Sequence, residues 1–304
     1  MPYKHLALRL GPAVNSEARV YFEAYRDADI LSIAGRVHGP HCDWARTLPA
    51  EYALQQISAS AGAGCLAQLL LPDPCYWTPQ LPFQYELQLS LQFEPGHSRE
   101  MTTTLGLRRW GCDGRNLLLD RRRIVLRGCA SASPLTQETL AEARHAEATL
   151  LVESPSAQQC ATASQLGVPL IVDLRQAGQE FPVLWQRLAW SAAALIVVVT
   201  GEQLQSDLAR CPARAQALAA QTITSKTTCE DAASVACDLY AIDLQPGERP
   251  PAWLADCEIP VIGIRTEEID LEWTTVRSRC DRLQREWAPE FDLAGYFIQL
   301  RSTL

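Results

Sequence analysis

Between Leu105 and Gly128 the hydrophobic period of the chain changes. Before this stretch, short runs alternate apolar and polar residues and are divided by turn-forming residues. After it, short apolar runs alternate with segments of helical period. One layer cannot satisfy both patterns, so the change predicts an all-β unit followed by an α/β unit. The length of 304 residues suits two such cores. The expected units are residues 1–123 and 124–304.

In the first unit, Tyr3–Leu10, Ala18–Tyr25, Ile30–Val37, Tyr52–Ser60, Cys65–Leu71, Gln84–Phe93 and Arg99–Trp110 read as strands. Gln84–Phe93 is the clearest, because Tyr85, Leu87, Leu89 and Leu91 fall on one face. The prolines of 72–82 rule out a helix there. The spacing predicts a β-sandwich. Trp44 and Trp77 are expected in a core or hinge rather than as sugar-stacking platforms. Arg121, Arg122 and Arg123 are expected in a solvated turn.

In the second unit, strands are expected at Arg123–Cys129, Thr149–Glu153, Pro169–Leu174, Ala194–Thr200, Thr222–Thr227, Asp238–Leu244, Val261–Arg265 and Asp292–Gln299. Helices are expected at Thr136–Ala146, Ser156–Leu166, Phe181–Ala193, Gln203–Ala219, Glu230–Ala236, Pro251–Cys257 and Leu271–Trp287. This alternation predicts a compact (β/α)8 barrel without a full eighth helix, with the last strand covered by the sandwich or a second subunit, or else a short α/β sheet.

The residues at the change of period carry a resemblance. Tyr76-Trp77-Thr78-Pro79, Pro82 and the following QYELQLSL, then Leu105-Gly106-Leu107-Arg108, then Asn116–Gly128 (NLLLDRRRIVLRG), occur in one order. In that order they resemble signatures of glycoside hydrolase family 2, which includes β-galactosidases, β-glucuronidases and β-mannosidases. The resemblance implies an immunoglobulin-like domain followed by a (β/α)8 barrel, here without the family's N-terminal sugar-binding domain and long barrel loops. It also implies retaining hydrolysis by two carboxyl groups about 5–5.5 Å apart. Glu202 falls on the acid position, but Gly201 stands where the family has Asn. Arg265 stands at the nucleophile position, with Glu267 two residues on. Thr149–Pro155 lacks the Arg and His of the family's second strand.

The strand ends of a barrel form its site. Here that rim is expected to carry Arg127, Glu153, Asp173, Glu202, Lys226 or Thr227, Asp243, Arg265 and Glu267, with their charges neutralising one another. The expected protein is therefore a hydrolase-like chain that has lost catalysis and binds a carbohydrate-like ligand or a protein partner. Two alternatives stand beside it. One is an active glycosidase with Glu202 as acid and Asp243 or Glu267 as second carboxylate. The other is a structural module that forms a homo-oligomer.

Charge and cysteine usage narrow the partners. Residues 1–128 hold 14 Lys and Arg against 12 Asp and Glu, and the remainder holds 13 against 23. An acidic second half argues against nucleic acid. No apolar run is long enough to cross a membrane, and the N-terminal residues lack a signal-peptide core, so a cytoplasmic protein is expected. The 11 cysteines include no CxxC pair and read as free thiols in a reducing compartment. His38 and His41 flank Pro40 beside Cys42 and are expected in a loop rather than on zinc. With no nucleotide-binding motif either, no metal and no cofactor are expected.

Overall fold

The structure is a computed structural model that describes residues 6–25, 30–57, 65–93, 96–130, 135–206, 217–267 and 273–300. Two antiparallel sheets form the first part. One has the order β1 (Leu6–Ala13), β2 (Glu17–Ala24), β6 (Cys65–Pro72), β5 (Gln55–Gln56). The other has the order β4 (Ala50–Ala53), β3 (Ser32–His41), β7 (Gln84–Gln92), β8 (Ser98–Leu105). Period-2 alternation drives the packing: Tyr85, Leu87, Leu89 and Leu91 of β7 are all buried. They share a core with Leu8, Val20, Phe22, Leu69 and Leu71 of the facing sheet.

Three details differ from the sequence reading. The expected strand at Tyr52–Ser60 is split between the two sheets as β4 and β5, and residues 58–60 lie outside the described ones. His38 and His41 sit at the end of β3 rather than in a loop, with His41 Nε2 and His38 Nδ1 3.1 Å apart. The return strand ends at Leu105 rather than Trp110, because Gly106–Arg109 serves as a connector.

A three-stranded meander follows: β9 (Trp110–Asp113), β10 (Asn116–Leu119) and β11 (Arg122–Ile124). Asp120 and Arg121 form the two-residue turn between β10 and β11, with φ of 51° and 64°. This is the left-handed pair that a tight hairpin requires. The meander lies under the barrel. Trp110 Nε1 donates to Leu195 O at 2.9 Å, Arg115 Nη2 to Ala255 O at 3.3 Å, and Cys112 Sγ to Asp238 O at 3.6 Å. Leu195 and Asp238 lie at the starts of β15 and β17, and Ala255 lies in the 3₁₀ turn that leads into β18, so the meander closes the N-terminal end.

Eight parallel strands form the closed barrel: β12 (Leu126–Ala130), β13 (Thr149–Glu153), β14 (Leu170–Asp173), β15 (Ala194–Val199), β16 (Leu218–Thr224), β17 (Leu239–Leu244), β18 (Val261–Glu267) and β19 (Gly295–Leu300). The connecting helices are α1 (Gln137–His145), α2 (Ala157–Leu166), α3 (Phe181–Leu188), α4 (Gly201–Ser206), α5 (Cys229–Ala233) and α6 (Trp273–Trp287), with a 3₁₀ turn at Ala252–Asp256 before β18. Local chemistry sets their ends. Ser156 and Gln159 form a reciprocal capping box at the start of α2, and Gly167 ends that helix at φ 73°. The fifth barrel strand begins at Leu218, four residues before its expected start, and α3 stops at Leu188 rather than Ala193. Residues 207–216 of the expected long helix lie outside the described ones.

The last strand is covered by α6, not by the sandwich. Val276, Cys280, Leu283 and Trp287 form its buried stripe. Cys280 Sγ contacts Gly128 O on β12 at 3.3 Å, and the Trp287 ring packs against Tyr296 on β19 with centroids 6.2 Å apart. Gly263 on β18 makes room for Trp287, since a Cβ there would lie 2.5 Å from that ring. One 15-residue helix thus spans β18, β19 and β12.

Indole and guanidinium donors join sandwich and barrel. Trp77 Nε1 donates to Ser164 O at 2.8 Å, and Trp190 Nε1 to Leu6 O at 3.3 Å. The buried Arg108 donates Nη1 to Ala192 O at 2.5 Å and to Ala194 O at 2.8 Å. Trp77 and Arg108 are two of the motif residues named above, and their role here is to fasten the joint.

Candidate functional site at the barrel mouth

Register decides which side chains reach the lumen. Gly128 is opposite Thr149, Glu153 opposite Asp173, Thr224 opposite Asp243, Asp243 opposite Ile264, and Thr266 opposite Gln299. Following this parity around the barrel places Glu153, Asp173, Thr224, Asp243, Thr266 and Gln299 on the lumen face near the C-terminal ends.

Arg175 organises this mouth. It lies two residues past the end of β14, and its guanidinium grips the Asp173 carboxylate with Nε–Oδ1 and Nε–Oδ2 both 3.0 Å and Nη2–Oδ2 2.5 Å. Its Nη1 also donates to Asp243 Oδ2 on β17, across the lumen. The Arg175 backbone N–H adds a 3.0 Å bond to Asp173 Oδ1. The fork therefore ties the third strand of the barrel to the sixth. Burial pushes the Asp243 carboxyl up, and the Arg175 charge offsets part of that rise. Bonding to Asp173, and the charges of both aspartates, hold Arg175 more firmly protonated than an ordinary arginine despite its desolvation. Asp243 Oδ1 and Thr222 Oγ1 are buried without hydrogen-bond partners among the described residues.

Three of the expected rim residues face the helix layer instead. Arg127 pairs through Nε with Asp281 of α6 at 2.8 Å and donates Nη2 to Gln284 Oε1 at 2.5 Å. Arg265 pairs with Glu267 at 3.0 Å and with Glu286 of α6 at 2.7 Å, and its guanidinium lies 5.7 Å from the Trp287 ring centroid. Glu267 is 8% exposed and meets Arg265, Arg279 and Arg282 at 3.0, 3.0 and 3.3 Å. Burial alone would raise its carboxyl, but the surrounding guanidinium groups outweigh burial and hold it below the usual carboxylate range.

Glu202 lies in the first turn of α4 and is exposed. The neighbouring Gln203 does the structural work there. Thr200 and Gln203 form a capping box, with Gln203 N–Thr200 Oγ1 3.2 Å and Thr200 N–Gln203 Oε1 2.9 Å. Gln203 Nε2 also donates to Leu174 O at 2.9 Å, beside the Asp173–Arg175 turn. Glu153 is exposed at the end of β13. Lys226 and Thr227 follow the strand end, where Thr227 Oγ1 accepts from the Thr224 backbone N–H at 2.9 Å.

Sequence reasoning missed Arg175. Its signal was the pair Asp173 and Arg175 at a strand end, spaced so that one carboxylate can accept from both the backbone and the side chain two residues on. Among the described residues, no group of three or more His, Cys, Asp and Glu is arranged to hold a metal ion. Nine of the described cysteines are free thiols. No helix among the described residues is long and apolar enough to cross a membrane.

No family model matches the sequence, and comparison with curated proteins finds no match. Solved structures do match in fold. The β-glucuronidase of Parabacteroides merdae is 12% identical with a TM-score of 0.66, over 98% of this chain and 47% of that one. That of Lactobacillus rhamnosus is 13% identical with a TM-score of 0.66, over 97% and 60%. A Ruminococcus gnavus β-glucuronidase in complex with D-glucuronic acid is 10% identical with a TM-score of 0.65, over 97% and 60%. The chain thus has a glycoside-hydrolase-like fold and spans about half to three-fifths of the length of these three enzymes.

Proposed function

We propose that this chain is a member of the family 2 glycosidase lineage that does not hydrolyse glycosides and whose barrel mouth holds a carbohydrate-like ligand. The observation that carries the reading is the Arg175 fork between Asp173 and Asp243. Retaining hydrolysis needs two carboxyl groups flanking the scissile bond, one to protonate and one to attack. At this mouth Asp173 and Asp243 flank a guanidinium, so a cation rather than a scissile bond lies between them. Glu267 is turned to α6 and neutralised by three arginines. Glu202 stands on an exposed helical turn with no pairing cation among the described residues.

A second reading, an active glycosidase, has one observation in its favour. Asp243 keeps a buried, unpaired Oδ1, and burial raises its carboxyl, as a general acid requires. A panel of chromogenic glycosides separates the two. The proposal expects no turnover above the blank by the wild-type chain. Wild-type turnover that disappears in Glu202→Gln or Asp243→Asn overturns it in favour of the second reading. The third reading, an oligomerising module, drew on an uncovered last strand, and α6 lies over that strand.

A further inference from the structure

We infer that a second site, at the opposite end of the barrel from the mouth, binds a small anionic ligand made of a carboxylate on a ring that can stack against an indole. A cavity of about 670 Å³ opens where the N-terminal ends of β12, β13 and β14 meet the loop between β3 and β4. Its volume lies in the range of small-molecule sites. Val125, Leu126 and Pro169 give it an apolar floor, and Trp44 stands at its side. Trp44 was expected in a core or hinge, yet it is 44% exposed. An indole left half open beside an apolar floor is a surface on which a ring can stack.

The charge of the wall selects the ligand further. Arg127, Arg144, His145 and Arg277 line the cavity together with a single carboxylate, Glu147. Glu147 is taken by Arg277 at 3.1 Å, and Arg127 by Asp281 at 2.8 Å. Arg144 has no carboxylate partner among the described residues. Its guanidinium lies 4.9 Å from the Trp44 ring centroid, and its Nη2 donates to Gln80 O at 3.2 Å. The head is thus held in place by a ring face and one carbonyl while its remaining donors stay unspent. This arrangement suits a carboxylate that accepts from Arg144 while its ring lies along Trp44 and the floor.

The end of α1 also borders the cavity, and a helix C-terminus opposes an anion. Here three of the last four carbonyls are already used. Ala146 N–H donates to Glu142 O at 2.9 Å, Glu147 N–H to Arg144 O at 3.0 Å and Ala148 N–H to Ala143 O at 2.9 Å. Two basic residues, Arg144 and His145, stand in the last turn against them. In a chain whose formal net charge is −8, this is a local reversal of sign.

The ring can be aromatic or a sugar, and the test has an arm for each. The whole chain is titrated calorimetrically with 2-naphthoate and with D-glucuronate, and with the neutral counterparts 2-naphthol and D-glucose. At least one carboxylate is expected to bind saturably, and its neutral counterpart about tenfold or more weaker. Arg144→Gln and Trp44→Ala, which lie on different elements, are each expected to weaken that binding about tenfold. The carboxylate that binds identifies the source. The inference is overturned if neither carboxylate binds, if the neutral counterpart binds equally well, or if both folded variants bind like the wild type. The outcome is independent of the mouth, since none of Asp173, Arg175 and Asp243 lines this cavity.

Discussion

Two charge clusters at the same end of the barrel are built to opposite plans. In the lumen, one guanidinium serves two carboxylates, and one carboxylate oxygen is left over. In the wall, one carboxylate serves three guanidinium groups, and α6 closes over it. The first cluster has excess negative charge facing the lumen. The second holds its buried carboxylate, Glu267, between helix and strand. A strand end therefore does not say what its charge is for; the face on which the side chain leaves the strand does. Asp243 and Arg265 end adjacent strands, yet one belongs to the mouth and the other to the packing of a helix.

If the wall cluster is structural, removing its supports should unfold the protein rather than alter a ligand site. The largest effect is expected at Trp287, which is 1% exposed and wedged between Gly263, Arg265 and Tyr296. Trp287→Ala should cost about 3–5 kcal/mol in urea unfolding. A loss under 1 kcal/mol, roughly the size of a surface substitution, would mean that α6 does not hold the last strand. Next comes Glu267→Ala, which leaves the half-buried Arg279 without its carboxylate and Arg265 with Glu286 alone. A cost of about 3 kcal/mol is expected, as for other buried pairs broken on one side. An unchanged melting curve would refute the wall assignment.

Much of the fold was legible in the sequence because period and punctuation are local. The alternation of β7 and the Ser156-to-Gly167 helix could be read directly. The fifth barrel strand was misplaced because Ala217–Ala220 has a helical composition. In the structure Ala220 and Ala241 are small lumen residues on neighbouring strands. The site was less legible for a related reason. A parallel barrel strand is apolar on both faces, so β18 shows no alternation that would assign Arg265 and Glu267 to the helix side. That parity emerges only from pairing with β17 and β19. The capping box of Thr200 and Gln203 was visible in the sequence, and it makes Gln203, not Glu202, the residue that anchors that strand end.

The smallest expected effect discriminates most finely, because the two clusters should respond to acid with opposite sign. Glu267 titrates below its ordinary value of 4.5 in the folded chain. It contributes stability that is present above that value and lost as pH falls through the folded value. Asp243 titrates above its ordinary value of 3.8. In the window just above that value the folded chain holds a proton that the unfolded chain has released, so the contribution of Asp243 declines as pH rises. Unfolding free energies of Glu267→Gln and Asp243→Asn, measured between about pH 3 and 6, should therefore diverge from wild type in opposite senses. The Glu267→Gln deficit should shrink as acid is added. Asp243→Asn should stay within about 1 kcal/mol of wild type, since Arg175 keeps its grip on Asp173, and should compare more favourably as pH rises. If both variants instead lost their deficit in acid, Asp243 would be a carboxylate stabilised by its cation like Glu267. The contrast between an open mouth and a sealed wall would then fail at its electrostatic root.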